Sequence, residues 1–190
     1  MTNILASAGA APMLSDMSNT PPSECPGQVR MSAMTRLGIA LALLIAMFDQ
    51  ISKWWILADV MSPPAVITVT PNFNLVLVWN RGVSFGILNQ SSAWVPWLLS
   101  ALAAAICFGL FIWLRRAQSR WFAVALGLII GGALGNLVDR LRFGAVVDFL
   151  DVHAGGYHWP AFNVADSAIT VGVGILLIDA LITGREERNV

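Results

Sequence analysis

Four apolar stretches in a chain of 190 residues leave little choice of solvent. A helix that crosses the hydrocarbon core of a bilayer needs roughly 20 residues, with a range of about 17–25. Residues 37–57, 94–114, 121–138 and 165–182 satisfy that length. The chain is 57% hydrophobic and 12% charged. A soluble domain is about half apolar and about a quarter charged. The pattern predicts an all-α polytopic membrane protein with four transmembrane helices. A formal net charge of +0 supplies no basic field for nucleic acid.

The flanks of these stretches agree with a bilayer. Trp54, Trp55, Trp94, Trp97, Trp113, Trp121 and Trp159 cluster near their ends, as aromatic belts do. Gly127, Gly131, Gly132, Ala133 and Gly135 in the third span allow close helix–helix approach, and Gly172 and Gly174 extend this to the fourth. Residues 1–34 are rich in Ala, Ser, Pro, Met and Thr without helical periodicity, so a disordered N-terminal tail is expected there. The membrane domain is expected over 35–184, with a short cytoplasmic tail at 185–190. Cys25 and Cys107 lie in unlike surroundings and form no metal-ligand spacing.

Orientation follows from the basic residues. With four spans, Arg30, Arg36, Arg115, Arg116, Arg120, Arg185 and Arg188 share one side, and Lys53, Arg81, Arg140 and Arg142 share the other. The excess places both termini in the cytoplasm and the loops bearing the acidic residues outside. Outside, Ala65–Thr70 between Pro64 and Pro71 reads as a strand, Phe73–Trp79 is β-prone, and Asn80-Arg81-Gly82 reads as a turn. A small extracytoplasmic antiparallel β-cradle is expected on the membrane surface. The loop from Arg140 to Asn163 has a buried-strand-like centre at Ala145–Leu150.

Acidic residues at a membrane boundary cost free energy and are functional candidates for that reason. Asp148 follows Val146-Val147, and Asp166 follows Val164-Ala165. Apolar neighbours shield a carboxylate and raise its pKa. Two such groups about 3 Å apart cannot both ionise, so one keeps a proton while the other activates a water. Helix capping is the competing reading, above all for Asp166 at the start of the fourth helix. Asp139 beside Arg140 suits an orienting ion pair. Asp49 and Lys53, spaced i and i+4, can neutralise each other, with Lys53 reaching outward. Asn80, Asn136 and Asn163 are amides that either grip an extended peptide or make turns. His153 and His158 leave a weak His–Asp metal alternative.

In order, the chain carries Asp49-Gln50-x-x-Lys53, Phe73-Asn74-Leu75 with Asn80-x-Gly82-x-Ser84-Phe85-Gly86, Gly131-Gly132-Ala133-x-Gly135-Asn136-x-x-Asp139-Arg140 leading to Val146-Val147-Asp148-Phe149, and Phe162-Asn163-Val164-Ala165-Asp166-Ser167. Over about residues 36–184 this set resembles bacterial signal peptidase II, the lipoprotein signal peptidase family. Ser84 stands where Ala is more usual. The resemblance implies a four-span inner-membrane aspartic endopeptidase. It would remove signal peptides from prolipoproteins already carrying diacylglycerol, cutting just before the lipidated Cys. It implies Asp148 and Asp166 as the catalytic pair and Asp49, Lys53, Asn80, Gly82, Asn136, Asp139, Arg140 and Asn163 as support. It also implies substrate held by the β-cradle and catalytic loops, inhibition by the cyclic peptide globomycin, and neither metal nor cofactor.

Two other classes remain to be weighed. A small membrane transport or assembly protein would line a path or a surface with its polar residues, whereas these gather at one end of the spans. A metal-dependent intramembrane protease would need a His-Glu-x-x-His helix, which the chain lacks.

Overall fold

The computed structural model describes residues 31–82 and 94–186, with side chains to 182. Residues 1–30 of the tail expected over 1–34 and the Ser84-Phe85-Gly86 part of the motif lie outside the described residues. Four helices are long and apolar enough to cross a membrane. They are α1 (Ala33–Trp55), α2 (Val95–Leu114), α3 (Arg120–Phe143) and α4 (Val164–Glu186). Four strands are present: β1 (Ile67–Thr70), β2 (Phe73–Asn80) and β3 (Val146–Ala154), at or near the three expected places, and β4 (Tyr157–His158), which the sequence reading did not anticipate. They form one antiparallel sheet in the order β1-β2-β3-β4. The expected fold class, a four-helix membrane protein with a small antiparallel sheet, is what the chain adopts.

Capping chemistry sets the helix ends. Ser32 accepts from the Thr35 backbone N–H at 3.0 Å, so α1 starts at Ala33. This lies within the stretch that composition assigned to the tail, because one capping hydroxyl outweighs bulk composition locally. Thr35 Oγ1 also donates to the Leu114 carbonyl at 3.4 Å, tying the start of α1 to the end of α2. Ser119 caps α3, and Gly144 ends it in the left-handed region at φ +68°. The third span therefore runs beyond Val138, and Asp139 and Arg140 are helical rather than part of a loop. Apolar content falls off after Val138, but the backbone ladder continues to the glycine that can stop it. Beyond Trp55, a π-helical turn (Ile56–Val60) carries the chain onto the sheet, where Ile56 and Met61 pack against Phe149.

The helix α3 is the hub. Over half of its spanning segment is buried, 56% against 22% or less for the other three. Lipid-facing Leu43, Leu44, Phe48, Leu102, Phe108 and Leu177 stay exposed on those outer helices. Glycines at every fourth position of α3 let α1 approach. A Cβ on Gly127 would meet the Gly38 carbonyl at 2.7 Å, and one on Gly131 would meet the Ala42 carbonyl at 2.6 Å. Without a hydrophobic force between helices in lipid, such contact supplies much of the packing energy.

Gly131→Val is therefore expected to push α1 from α3 and to destabilise the protein by roughly 1–3 kcal/mol, as overpacking does. Gly109, where a Cβ would meet nothing within 4 Å, provides the control as Gly109→Ala. Thermal unfolding in detergent compares the two; equal melting temperatures would contradict this account of the α1–α3 contact.

Candidate active site

The ends of α1 and α3, the start of α4 and the sheet meet at one place. From β4 the chain returns beside β3, with Phe149 and Leu150 N–H donating to the Phe162 carbonyl at 3.0 and 2.8 Å. That return sets Asn163 against Asp148, and the next helical turn delivers Asp166. Asp148 thus stands on a strand, opposite Val78 of β2, and not on a helix end. Val146 and Val147, β-branched and buried, select strand over helix here.

Both acids are held by amides. Asn163 Nδ2 donates to Asp148 Oδ1 at 2.7 Å, and Asn80 Nδ2 donates to Asp148 Oδ2 at 2.9 Å. Asn136 Nδ2 donates to Asp166 Oδ1 at 2.7 Å, and the Asn163 backbone N–H reaches Asp166 Oδ2 at 3.3 Å. Asn163 therefore touches both carboxyls. Each amide is locked by a donor on its own oxygen. Gly82 N–H sits on Asn80 Oδ1 at 2.8 Å, Asp166 N–H on Asn163 Oδ1 at 2.9 Å, and Lys53 Nζ on Asn136 Oδ1 at 3.0 Å. A backbone N–H or an ammonium cannot accept, so every amide must turn its nitrogen toward an acid. The turn expected at Asn80-Arg81-Gly82 is present, with Gly82 at φ +81°, where other residues are strained.

Below this layer lies a buried ion cluster. Lys53 Nζ is 2.8 Å from Asp49 Oδ2 and 2.8 Å from Asp139 Oδ2, with all three side chains 3% exposed or less. Lys53 does not reach outward as its position suggested. Two carboxylates and an amide oxygen inside the bundle outbid the interface for its charge. The cation partner of Asp139 is likewise Lys53 rather than the adjacent Arg140, because neighbours on a helix point about 100° apart. Asp139 Oδ2 also accepts from Val147 N–H at 3.0 Å, and Asp49 Oδ1 from Ala165 N–H at 2.9 Å. The cluster thereby clamps β3 and α4 to the α1–α3 pair. Gly135 makes room, since a Cβ there would strike the Asp49 carboxyl.

Some members escaped the sequence reading. Gln50 Nε2 donates to Asp139 Oδ1 at 2.8 Å and to the Gly135 carbonyl at 3.1 Å. Its place one residue after Asp49 was the available signal. Asn74 and His158 both bond Asp151, at 2.9 Å each at closest, in a separate polar group on the sheet. Those bonds, that from Asn74 foremost, hold the Asp151 carboxyl below the usual range. His153 stacks on His158 at 4.6 Å between ring centroids. Arg140 Nη1 reaches the Asn136 carbonyl at 3.4 Å, while its buried Nε has no partner among the described residues.

Burial pushes the Asp148 carboxyl up to about 6, the Asp166 charge adds to the rise, and the amides of Asn80 and Asn163 oppose it. This environment suits a carboxyl that holds a proton beside another carboxyl and a water.

Residues 41–182 match the family model for signal peptidase (SPase) II. The chain belongs to the signal peptidase II family. It is a multi-pass membrane protein of a protease family. It is similar to lipoprotein signal peptidases of Burkholderia vietnamiensis (49% identical, 75% of this chain and 86% of the relative) and Methylorubrum extorquens (48% identical, 77% and 86%). Two bacterial membrane enzyme structures solved by the in meso method, at 2.3 and 1.9 Å resolution, share the fold. The first has a TM-score of 0.65 at 33% identity over 76% of this chain and 87% of its own. The second has 0.66 at 32% over 76% and 92%. Membership in signal peptidase II does not favour the transport or assembly alternative.

Lys53→Met should leave Asp49 and Asp139 buried without a cation and cost about 3–5 kcal/mol of stability, read as loss of folded protein in detergent. The titration of Asp148 offers a signed test. Asn80→Ala removes a donor to the anion, so the Asp148 pKa should rise. Asp166→Asn removes a like charge, so it should fall. Carboxyl 13C chemical shifts against pH measure both, and shifts of the opposite sign would contradict the assignment of causes.

Proposed function

We propose that this chain is an aspartic endopeptidase of the bacterial inner membrane that removes signal peptides from diacylglyceryl-modified prolipoproteins, cutting before the lipidated Cys. The observation that carries the reading is the bridging of Asp148 and Asp166 by Asn163, which puts two carboxyls from separate elements at one spot beside the sheet. The similarity to lipoprotein signal peptidases supports the substrate class.

In this reading Asp148, whose pKa is raised, carries the proton, and Asp166 is the ionised partner. Asp166 takes a proton from water as the water oxygen bonds to the scissile carbonyl carbon. Asp148 gives its proton to the carbonyl oxygen. Collapse of the resulting gem-diol breaks the C–N bond, the leaving amine takes the proton held by Asp166, and a hydroxyl proton returns to Asp148. Arg140, with an Nε free of partners among the described residues, and Asn136 would bind the extended substrate backbone. Globomycin-type peptides would occupy the same place. Asp49, Lys53, Asn80, Gly82, Asp139 and Asn163 would hold the frame.

Basic residues favour cytoplasmic termini, with the site on the periplasmic face. Substrate fits this geometry physically. Both its apolar signal helix and its acyl chains are confined to the bilayer, and the scissile bond lies at the boundary where the acids sit. In the proposed division the membrane peptidase begins with α1 at Ala33, two residues before the expected 35, and ends with α4.

A gel-shift assay with purified enzyme and a diacylglyceryl-modified precursor tests the reading. Asp148→Asn and Asp166→Asn should each abolish cleavage while keeping the melting temperature near that of the parent chain. Appreciable turnover by either folded variant would refute the aspartic mechanism.

A further inference from the structure

We infer that Lys53 is a positioning residue for peptide cleavage: its ammonium, seated on Asn136 Oδ1, locks the Asn136 amide as a donor to Asp166 and keeps that carboxyl aimed at the site it shares with Asp148. The inference rests on the aspartic reading and extends it to a residue that touches neither acid.

Donor counting leads to it. An ammonium has three N–H donors and no acceptor. Lys53 uses them on Asp49 Oδ2 at 2.8 Å, Asp139 Oδ2 at 2.8 Å and Asn136 Oδ1 at 3.0 Å. Its contacts with the two carboxylates use two of them. The third donor goes to the one amide that holds Asp166 Oδ1, at 2.7 Å.

An asparagine amide has nearly the same shape when flipped, so packing alone does not choose its orientation. Flipped, Asn136 would set its oxygen against a carboxylate and its NH2 against an ammonium, two repulsive contacts. Asn163 Nδ2 also donates to Asn136 Oδ1, at 3.1 Å. However, that nitrogen is committed to Asp148 Oδ1 and the Val147 carbonyl as well. Lys53 is the stronger lock, being charged and buried. Its connection to the dyad also has an electrostatic part, since its charge favours the ionised form of Asp148. The charged groups around the site are Asp49 and Lys53 of α1, Asp139 and Arg140 of α3, Asp148 of β3 and Asp166 of α4.

The test must separate positioning from folding. Asp49→Asn combined with Lys53→Met removes one charge of each sign, so Asp139 remains with its Gln50 and Val147 donors. This double variant should lose about tenfold or more in kcat, as small misplacements of reacting groups do. The loss should fall more on kcat than on KM, since the bond from Lys53 aims Asp166 and is not itself made to substrate. Asp49→Asn with Lys53→Gln returns a neutral donor to that place and should recover part of kcat. In both, the pH–rate limb of Asp148 should move to higher pH because the nearby cation is gone.

Wild-type kcat and pH profile in the folded Met variant overturn the inference. So does an equal loss in the Met and Gln variants with the pH profile unmoved, which makes Lys53 structural only. Should the Met variant not fold, the Gln variant decides: an unmoved limb at wild-type kcat overturns the inference. Asp148→Asn and Asp166→Asn run in the same assay. Turnover by those would defeat the aspartic reading itself, a result distinct from any Lys53 outcome.

Discussion

A single buried ammonium organises one end of this bundle. Lys53 lies 2% exposed among two carboxylates and an amide oxygen contributed by α1 and α3. Moving a charge from water into such surroundings costs several kcal/mol unless its partners are well placed. The partners therefore have to arrive together. Asp49 brings the N-terminal backbone of α4, and Asp139 brings the backbone of β3. Satisfying one cation thus registers two helices, a strand and the start of a fourth span against each other.

The acids depend on that registration. Asp148 comes from a strand and Asp166 from a helix, so no local rule holds them together. Asn163, Asn136 and Asn80 do so, each fixed by a donor it cannot reject. All four carboxyl oxygens accept an N–H. For Asp148 the bonds from Asn80 and Asn163 favour ionisation, while burial and the second acid oppose it. Burial prevails, and the carboxyl rises to about 6. The apolar outer faces of α1, α2 and α4 keep this polar end at the membrane boundary, where a lipid-anchored substrate also sits.

Much of this was legible in the chain. Length and hydropathy announced four spans, and Pro, Gly and β-branched patterns announced β1, β2, the first part of β3 and the turn at Gly82. The acids stood out because they interrupt apolar sequence. Less legible were the partners. Lys53 reads as an interfacial residue, and Asp139 reads as paired with Arg140, because sequence shows only neighbours along the chain. Gln50 was visible but silent, since its bonds run to residues more than eighty positions away. The end of α3 was missed because hydropathy stops at Val138 while the helix stops at the residue able to adopt a positive φ, Gly144.

The amino-acid order by itself determined the solvent of this protein, the number of its crossings and the identity of the groups able to do chemistry, because these follow from side-chain transfer energies and local backbone preference. Tertiary structure alone decided which ammonium meets which carboxylate, which way each amide faces and that Asp148 and Asp166 share Asn163. Those outcomes rest on directional bonds between distant segments in a medium where an unmatched charge is too costly to leave alone.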